Sequence, residues 1–350
     1  MNKNLYYFDT APITPEPIIL ASGTVPVKII GDANEGSELG DKHIPPTHCF
    51  FARSCLHVAL KGFPDIAGIL FSHGCDCTNR HFDIWEQNVD TPFMYWLNVP
   101  IKRNENAKKF YRKEVSRLIQ TFETKFGKKL DKLTLSDAIK KVNQIKRDLA
   151  ELASYRKTGQ IKMSEMLKDL LYVVEGKIWN DLDYIKRRIA EVKERPANEP
   201  KIRLFLTGSI ITTPDLYLLL EEIGFSVVRD DLKLGEAYYR VLYDENKDPI
   251  DAIAEYPFIA PTYHNVSPSF KMLDELLFEL KKDSIDCVIN QVLKYCEPSL
   301  FDMHFIGKGI EDAGYPYYFI DRGFENNTIP SLRTKLEAFY EIVKEKKRGG

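Results

Sequence analysis

The chain has 350 residues, 44% of them hydrophobic and 29% charged, with a formal net charge of −2. That length supports two cores of ordinary domain size, and the balanced charge gives no footing for a nucleic-acid or membrane-surface partner. No apolar run approaches the roughly 18 residues of a membrane span. The opening MNKNLYYFDTAPITPEP carries prolines and an acid where a signal peptide needs an apolar core, so a cytoplasmic protein is expected.

Residues 1–100 read as a first α/β unit. Pro15 to Ser22 starts a helix with proline in its first turn, closed by Gly23, and Val25 to Ile30 is a strand. A loop rich in Gly, Asp and Pro runs to Pro46. THCFFARSCLHVALKGFPD then carries an apolar helical stripe of Phe51, Cys55, Val58 and Ala59, stopped by Gly62 and Pro64, so Cys49 stands at the start of a helix. Ile66 to Phe71 is a short apolar run that ends in a polar knot of His73, Cys75, Asp76 and Cys77, followed by the helical HFDIWEQ. This is the pattern of a buried parallel strand feeding its crossover helix. Ligands collect where such strands end. A cysteine just ahead of a helix feels the helix dipole, which favours thiolate; the same residue would equally serve as a small side chain in a βα turn. Phe93 to Pro100 is an aromatic-rich strand.

Residues 101–197 change character. Lys, Glu, Leu and Ala dominate, with helical periodicity over Ala107–Phe126, Ser136–Ser154, Lys162–Val174 and Asp181–Lys193. Thr134 offers a cap to the second, with Asp137 three residues on. This stretch reads as a helical linker or cap without chemistry of its own.

Residues 198–350 form a second α/β unit. KIRLFLTG is a strand, SIITTPDLYLLLEEIG a loop and helix closed by Gly224, and Phe225 to Val228 the next strand. Ile285 to Leu293 is a buried strand followed by KYCEPSLFDMHFIGKGIEDAG, where Pro298 suits a first helical turn. Cys296 therefore repeats the position of Cys75. YPYYFID is a further strand, and Leu332 to Lys346 a closing amphipathic helix. Neither GxGxxG after a strand nor a phosphate-binding GxxxxGKS/T occurs, so no nucleotide site is indicated.

Six cysteines in a cytosolic chain are either buried small residues or ligands rather than disulfides. Cys55 on a helix stripe and Cys287 inside a strand read as core. Cys77 is open to either role. Three thiolates from Cys49, Cys75 and Cys296 would suit an iron–sulfur cluster with one iron left without a protein ligand, though spacing alone does not assign one.

Several phrases, in order along nearly the whole chain, carry a resemblance: TPEPIILASGTVPVKI, HCFFARSCL, GILFSHGCDCTNRHFDIW with FMYWLNVPIKR, RLFLTGSII, VVRDD, DPIDAIA, VINQVLKYCEPSLFD and LRTKLEAFYEI. Together they resemble a subunit of the 2-hydroxyacyl-CoA dehydratase and benzoyl-CoA reductase family. The resemblance implies an α/β fold of two flavodoxin-like parallel-sheet domains, here with an intervening helical segment. It also implies a 4Fe-4S cluster between the domains, held by Cys49, Cys75 and Cys296. Two positions depart from it: Asp9 stands where relatives often have a cysteine, and Lys233 where others have one. Double-cubane cluster proteins, which are similar, need additional cysteines at such places, so that reading is disfavoured.

The resemblance implies one-electron chemistry on an acyl-CoA thioester. In dehydratase members a ketyl radical at the thioester carbonyl expels hydroxide and then loses the β-proton; in reductase members similar clusters pass electrons into an aromatic thioester. A homologous cluster-bearing subunit and an ATP-hydrolysing activator protein are the implied partners. The chain is expected to be either the catalytic subunit or an electron-relay or structural partner of one. Glu16 matches the family's carboxylate after proline and is the implied handler of hydroxyl or proton; a first-turn acid favoured by the helix dipole is the other reading. Arg53 and Ser54, one turn beyond Cys49, are candidates to hydrogen-bond cluster sulfide or thioester, with a solvated arginine as the alternative. His73 and Asp76 flank Cys75. Ser209 is placed as a phosphate or cluster donor, or as a plain helix cap.

Overall fold

A computed structural model of the chain describes residues 3–260, 270–324 and 330–349, without the side chains of residues 76–78, 270 and 330. Its frame is two parallel sheets of four strands each. In the first, β1 (Asn4–Phe8), β2 (Val25–Lys28), β3 (Ile66–Ser72) and β4 (Met94–Leu97) lie in the order β2-β1-β3-β4. In the second, β5 (Ile202–Gly208), β6 (Phe225–Asp230), β7 (Cys287–Leu293) and β8 (Tyr317–Arg322) lie in the order β6-β5-β7-β8. Every pairing is parallel. Both sheets are therefore flavodoxin-like, and each reverses its winding between its first and third strands.

Parallel strands need crossovers, and the helices supply them. Helices α1 (Glu16–Ala21), α2 (Phe50–Lys61) and α3 (Asp76–Asn88) serve the first sheet. Then come α4 (Glu105–Phe126), α5 (Lys132–Ser154), α6 (Met163–Val174) and α7 (Tyr184–Lys193). The second sheet follows with α8 (Asp215–Ile223), the one-turn α9 (Glu236–Tyr239), α10 (Pro249–Ile259), α11 (Phe270–Lys282), α12 (Glu297–Asp312) and α13 (Arg333–Gly349).

Both faces of each sheet are buried, which is why the strands read as near-continuous apolar runs. Alternation sorts the side chains. Phe8, Ile69 and Phe71 of the first sheet share one apolar cluster with Leu204, Leu206 and Ile289 of the second and with Leu149, Leu152 and Leu170 of α5 and α6. Leu5, Tyr7 and Leu70 face the other way, into a cluster with Leu118, Ile139 and Ile253. Phe205, Val228 and Val288 back onto Met272, Leu276 and Ile306.

Three features differ from the expected pattern. Asn4–Phe8 carries no strand signal of its own, lacking alternation or a preceding turn, yet it is a central strand of its sheet, paired to β2 and β3. Helix α5 begins at Lys132 rather than Ser136. Asp131, not Thr134, is its cap, its carboxylate accepting from the Thr134 N–H at 2.9 Å and hydroxyl at 2.8 Å. That earlier start brings Leu135 onto the buried face. Helices α10 and α11 had no counterpart in the expected pattern. For α10, Asp248 accepts from the Ile250 N–H and Pro249 takes the first position, a start signal obscured by the Pro257 inside it.

Candidate functional site

In a doubly wound sheet the crevice opens at the carboxyl ends of the strands where the winding reverses. For the first sheet those ends are the residues after β1 and β3. The loop from β1 to α1 is folded back onto β3 by side-chain hydrogen bonds. Thr10 Oγ1 accepts from the Cys75 backbone N–H at 3.3 Å. Thr14 donates its N–H and hydroxyl to Asp9 Oδ2, at 3.3 and 2.7 Å, and its oxygen lies 2.9 Å from Ser72 Oγ.

Cys49, Cys75 and Cys296 are the N-cap residues of α2, α3 and α12. None is in a disulfide, and all three pack against the apolar cluster shared by both sheets. Cys296 Sγ lies 3.2 Å from Ser299 Oγ, one turn into its helix. Cys55 and Cys287 are fully enclosed, and burial pushes both thiols well up, as befits core residues. The side chains of Asp76 and Cys77 lie outside the described residues. Among the described residues no three His, Cys, Asp or Glu side chains crowd together as ligands of a single metal ion. A polynuclear cluster asks for something else, since its thiolates sit on different irons and are spread apart.

One buried group fits a bound cluster. His81 on α3 is enclosed, and neither ring nitrogen has a hydrogen-bond partner among the described residues. Its ring stacks on His48, which precedes Cys49, at 5.4 Å and on Phe8 at 6.2 Å. Burial, with the His48 ring beside it, pushes His81 down to about 3, so the imidazole is neutral with one N–H to give. An unpaired buried imidazole costs stability unless something accepts from it. A sulfur-rich group held on Cys49 and Cys75 would supply such an acceptor.

The polar candidates have definite partners. Glu16 is 5% exposed. Tyr7 donates to its Oε1 at 2.6 Å, and the Tyr238 hydroxyl from α9 lies 3.2 and 3.0 Å from its two oxygens. Burial raises its carboxyl; Lys146 on α5 and the two phenols oppose that rise. Arg53 is turned to Asp41, to Ser37 Oγ at 3.3 Å and to the His48 carbonyl at 3.3 Å, with its guanidinium 4.7 Å from the Phe50 ring centroid. It braces the turn that presents Cys49. Ser54 Oγ donates to the Asp32 carbonyl and accepts from the Asp32 N–H, each at 3.0 Å, tying α2 to the loop after β2. His73 Nδ1 lies 2.8 Å from the Val99 carbonyl.

Ser209 is not a helix cap: α8 starts at Asp215 with Pro214 at the cap position. Instead its Oγ accepts from the Leu293 N–H at 3.0 Å, joining the carboxyl ends of β5 and β7 three residues from Cys296. Asp9, where relatives often carry cysteine, is buried and ion-paired to Lys28, so its carboxylate is already neutralised.

Besides His81 and Tyr238, two buried groups escaped the sequence patterns. Lys146 lies on the apolar stripe of α5, four residues after Val142 and three before Leu149, a spacing that could have marked it. Asp231, just past β6, accepts from Thr207 Oγ1 at 3.0 Å and is raised to about 8, burial being the largest cause.

Residues 13–343 match the family described as 2-hydroxyglutaryl-CoA dehydratase, D-component. The chain is 27% identical over 342 residues to the (R)-phenyllactyl-CoA dehydratase beta subunit of Clostridium sporogenes, covering 94% of this chain and 89% of that protein. It is 19% identical over 343 residues to the lactoyl-CoA dehydratase subunit beta of Anaerotignum propionicum, with the same coverage.

Proposed function

We propose a function from one premise: the chain belongs to the 2-hydroxyglutaryl-CoA dehydratase D-component family. Its relatives are dehydratase beta subunits, and it is a component of a dehydratase-type enzyme. We infer that this component holds a 4Fe-4S cluster on Cys49, Cys75 and Cys296 and acts on a 2-hydroxyacyl-CoA thioester. A cluster held there supplies the single strongly reducing electron and the Lewis-acidic iron that ketyl-radical dehydration requires.

The observation that carries the reading is the shared placement of the three cysteines. Each caps a helix, two of them follow the third strand of their sheets, and all touch one apolar cluster. The chain's own residues do the rest. Arg53 and Ser54 fix the turn and helix that present Cys49, and Thr10 holds the Cys75 backbone. His81 would give an N–H to cluster sulfur, and Ser209 locks the strand ends that lead to Cys296. Glu16 holds or takes the proton at its carboxylate, with Tyr7 and Tyr238 as the hydrogen-bond donors that orient it.

A partner subunit is supported by the naming of the relatives as beta subunits. An ATP-hydrolysing activator completes the system, in keeping with a sequence without a GxxxxGKS/T loop. Leu300, Phe301 and Phe305 are exposed on α12, beside Cys296, and support docking of the other dehydratase subunit there. A second reading, in which the cluster relays electrons and never meets substrate, is favoured by the enclosure of Glu16, whose two oxygens both lie against phenols.

The test is anaerobic purification followed by metal and sulfide analysis. About four iron and four sulfide per chain are expected; colourless, iron-free protein overturns the assignment. Adding a 2-hydroxyacyl-CoA, then an aromatic acyl-CoA, to the loaded chain separates the two roles. A shift of the cluster spectrum marks the catalytic subunit, and an unchanged spectrum the relay.

A further inference from the structure

We propose that Lys146 is a positioning residue for Glu16: its ammonium, held in a cage of three tyrosines, acts across Tyr238 to favour the charged form of the Glu16 carboxyl. The inference rests on the reading of Glu16 as the group that handles the proton.

Lys146 sits on α5, 2% exposed, and among the described residues it forms no direct ion pair with a carboxylate. Its Nζ donates to the Tyr256 hydroxyl. It lies 4.3 Å from the Tyr256 ring centroid, 5.2 Å from that of Tyr243 and 5.3 Å from that of Tyr238. Tyr243 and Tyr256 are themselves stacked, with centroids 4.2 Å apart. The negative faces of three rings and one hydroxyl take the place of water around the ammonium.

Tyr238 joins the two charges. Its ring faces the ammonium, and its hydroxyl bonds the Glu16 carboxylate. The groups facing Glu16 come from every element around it: Tyr7 of β1, Asp9 just beyond, Lys146 of α5, Tyr238 of α9, Tyr243 in the following loop and Tyr256 of α10. Lys28, whose ammonium lies over the Tyr7 ring, is taken up by Asp9. Lys146 is left to offset Glu16. A lysine serving only to fill space would be replaceable by an apolar side chain of similar length at lower desolvation cost. Here the three elements that bring Lys146, Tyr238 and Glu16 together come from the helical segment and from both sheets' loops. The charge state of Glu16 is thereby tied to their docking.

The experiment reads the two charges directly on the anaerobically purified full chain, without substrate. Infrared titration follows the protonated-carboxyl band, assigned by its loss in Glu16→Gln. Lys146→Met is expected to raise the Glu16 midpoint by about 1–3 pH units, a roughly 10- to 1000-fold weaker acid, while Lys146→Arg keeps it near the wild-type value. An unmoved midpoint in Lys146→Met overturns the proposal. Should Lys146→Met not fold, the reciprocal measurement decides. Coupling works both ways, so Glu16→Gln must lower the Lys146 ammonium midpoint, followed by lysine 15N resonance; an unmoved Lys146 overturns it. Turnover of Glu16→Gln is a separate measurement. Loss of coupling with activity intact condemns only the role of Lys146, and coupling without any effect of Glu16→Gln on turnover condemns only the role of Glu16.

Discussion

Cys75 and Cys296 occupy the same place in two sheets of one strand order: each stands three residues beyond the third strand and caps the helix that follows. Cys49 caps α2. We expect Cys49→Ala, Cys75→Ala and Cys296→Ala each to lose iron on anaerobic purification, while Cys55→Ala and Cys287→Ala keep it. The two core variants should cost on the order of 1 kcal/mol of stability, from a buried small side chain. Iron content per chain across the five variants checks this, and equal loss in all five would remove the assignment.

Asp9 and Lys28 form a buried ion pair. Breaking such a pair leaves an uncompensated charge, so Lys28→Met alone should destabilise by about 3–5 kcal/mol. The double variant Asp9→Leu with Lys28→Met should recover most of that loss, because neither charge then remains. Urea unfolding of wild type, Asp9→Leu, Lys28→Met and the double variant measures the cycle.

Asp231 carries the clearest pH signature. Burial raises it to about 8, against an unfolded value near 3.9. Between those two values the native chain holds a proton that the unfolded chain has released, so stability falls as pH rises. The contribution is full below about pH 4, and its loss is complete once pH has passed about 8. Asp231→Asn keeps a neutral group against Thr207. It should flatten the slope across that window and exceed wild type at pH 8 by an amount on the order of a few kcal/mol. Thermal melts from pH 4 to 8 report it.

Phe301 is 84% exposed on α12, so Phe301→Asp should leave the stability of the isolated chain within about 0.5 kcal/mol. If the other dehydratase subunit docks there, the same change should weaken assembly at least roughly tenfold, as truncation of a buried aromatic anchor does. Sedimentation of the mixed subunits measures the effect; unchanged assembly moves the interface elsewhere.

The parallel strands other than β1, and the three capping cysteines, were legible because each rests on a local signal: an apolar run, a turn, then a helix start. Even Cys55 and Cys287 were placed correctly by stripe and strand. Tyr238 could not be found that way. Its relevance comes from a hydroxyl meeting Glu16 across 222 residues of chain, a relation set by docking rather than by spacing. His81 belongs to the same class, since an imidazole lacking a partner becomes visible only when its neighbours are known. Ser209 was misjudged as a possible cap because a serine after a strand fits that pattern equally well. Here its hydroxyl is taken by the Leu293 N–H instead.

The apolar cluster shared by both sheets has a consequence for how the chain comes apart. Val27 of the first sheet, Leu152 and Leu170 of the helices between, and Leu204 and Phe225 of the second sheet belong to one contiguous body. Neither half can melt without stripping the other of apolar cover, so heat should dissolve both in a single step rather than one after the other. Any group gripped by cysteines of both halves then stabilises the whole chain, because its binding energy is lost only when everything unfolds together.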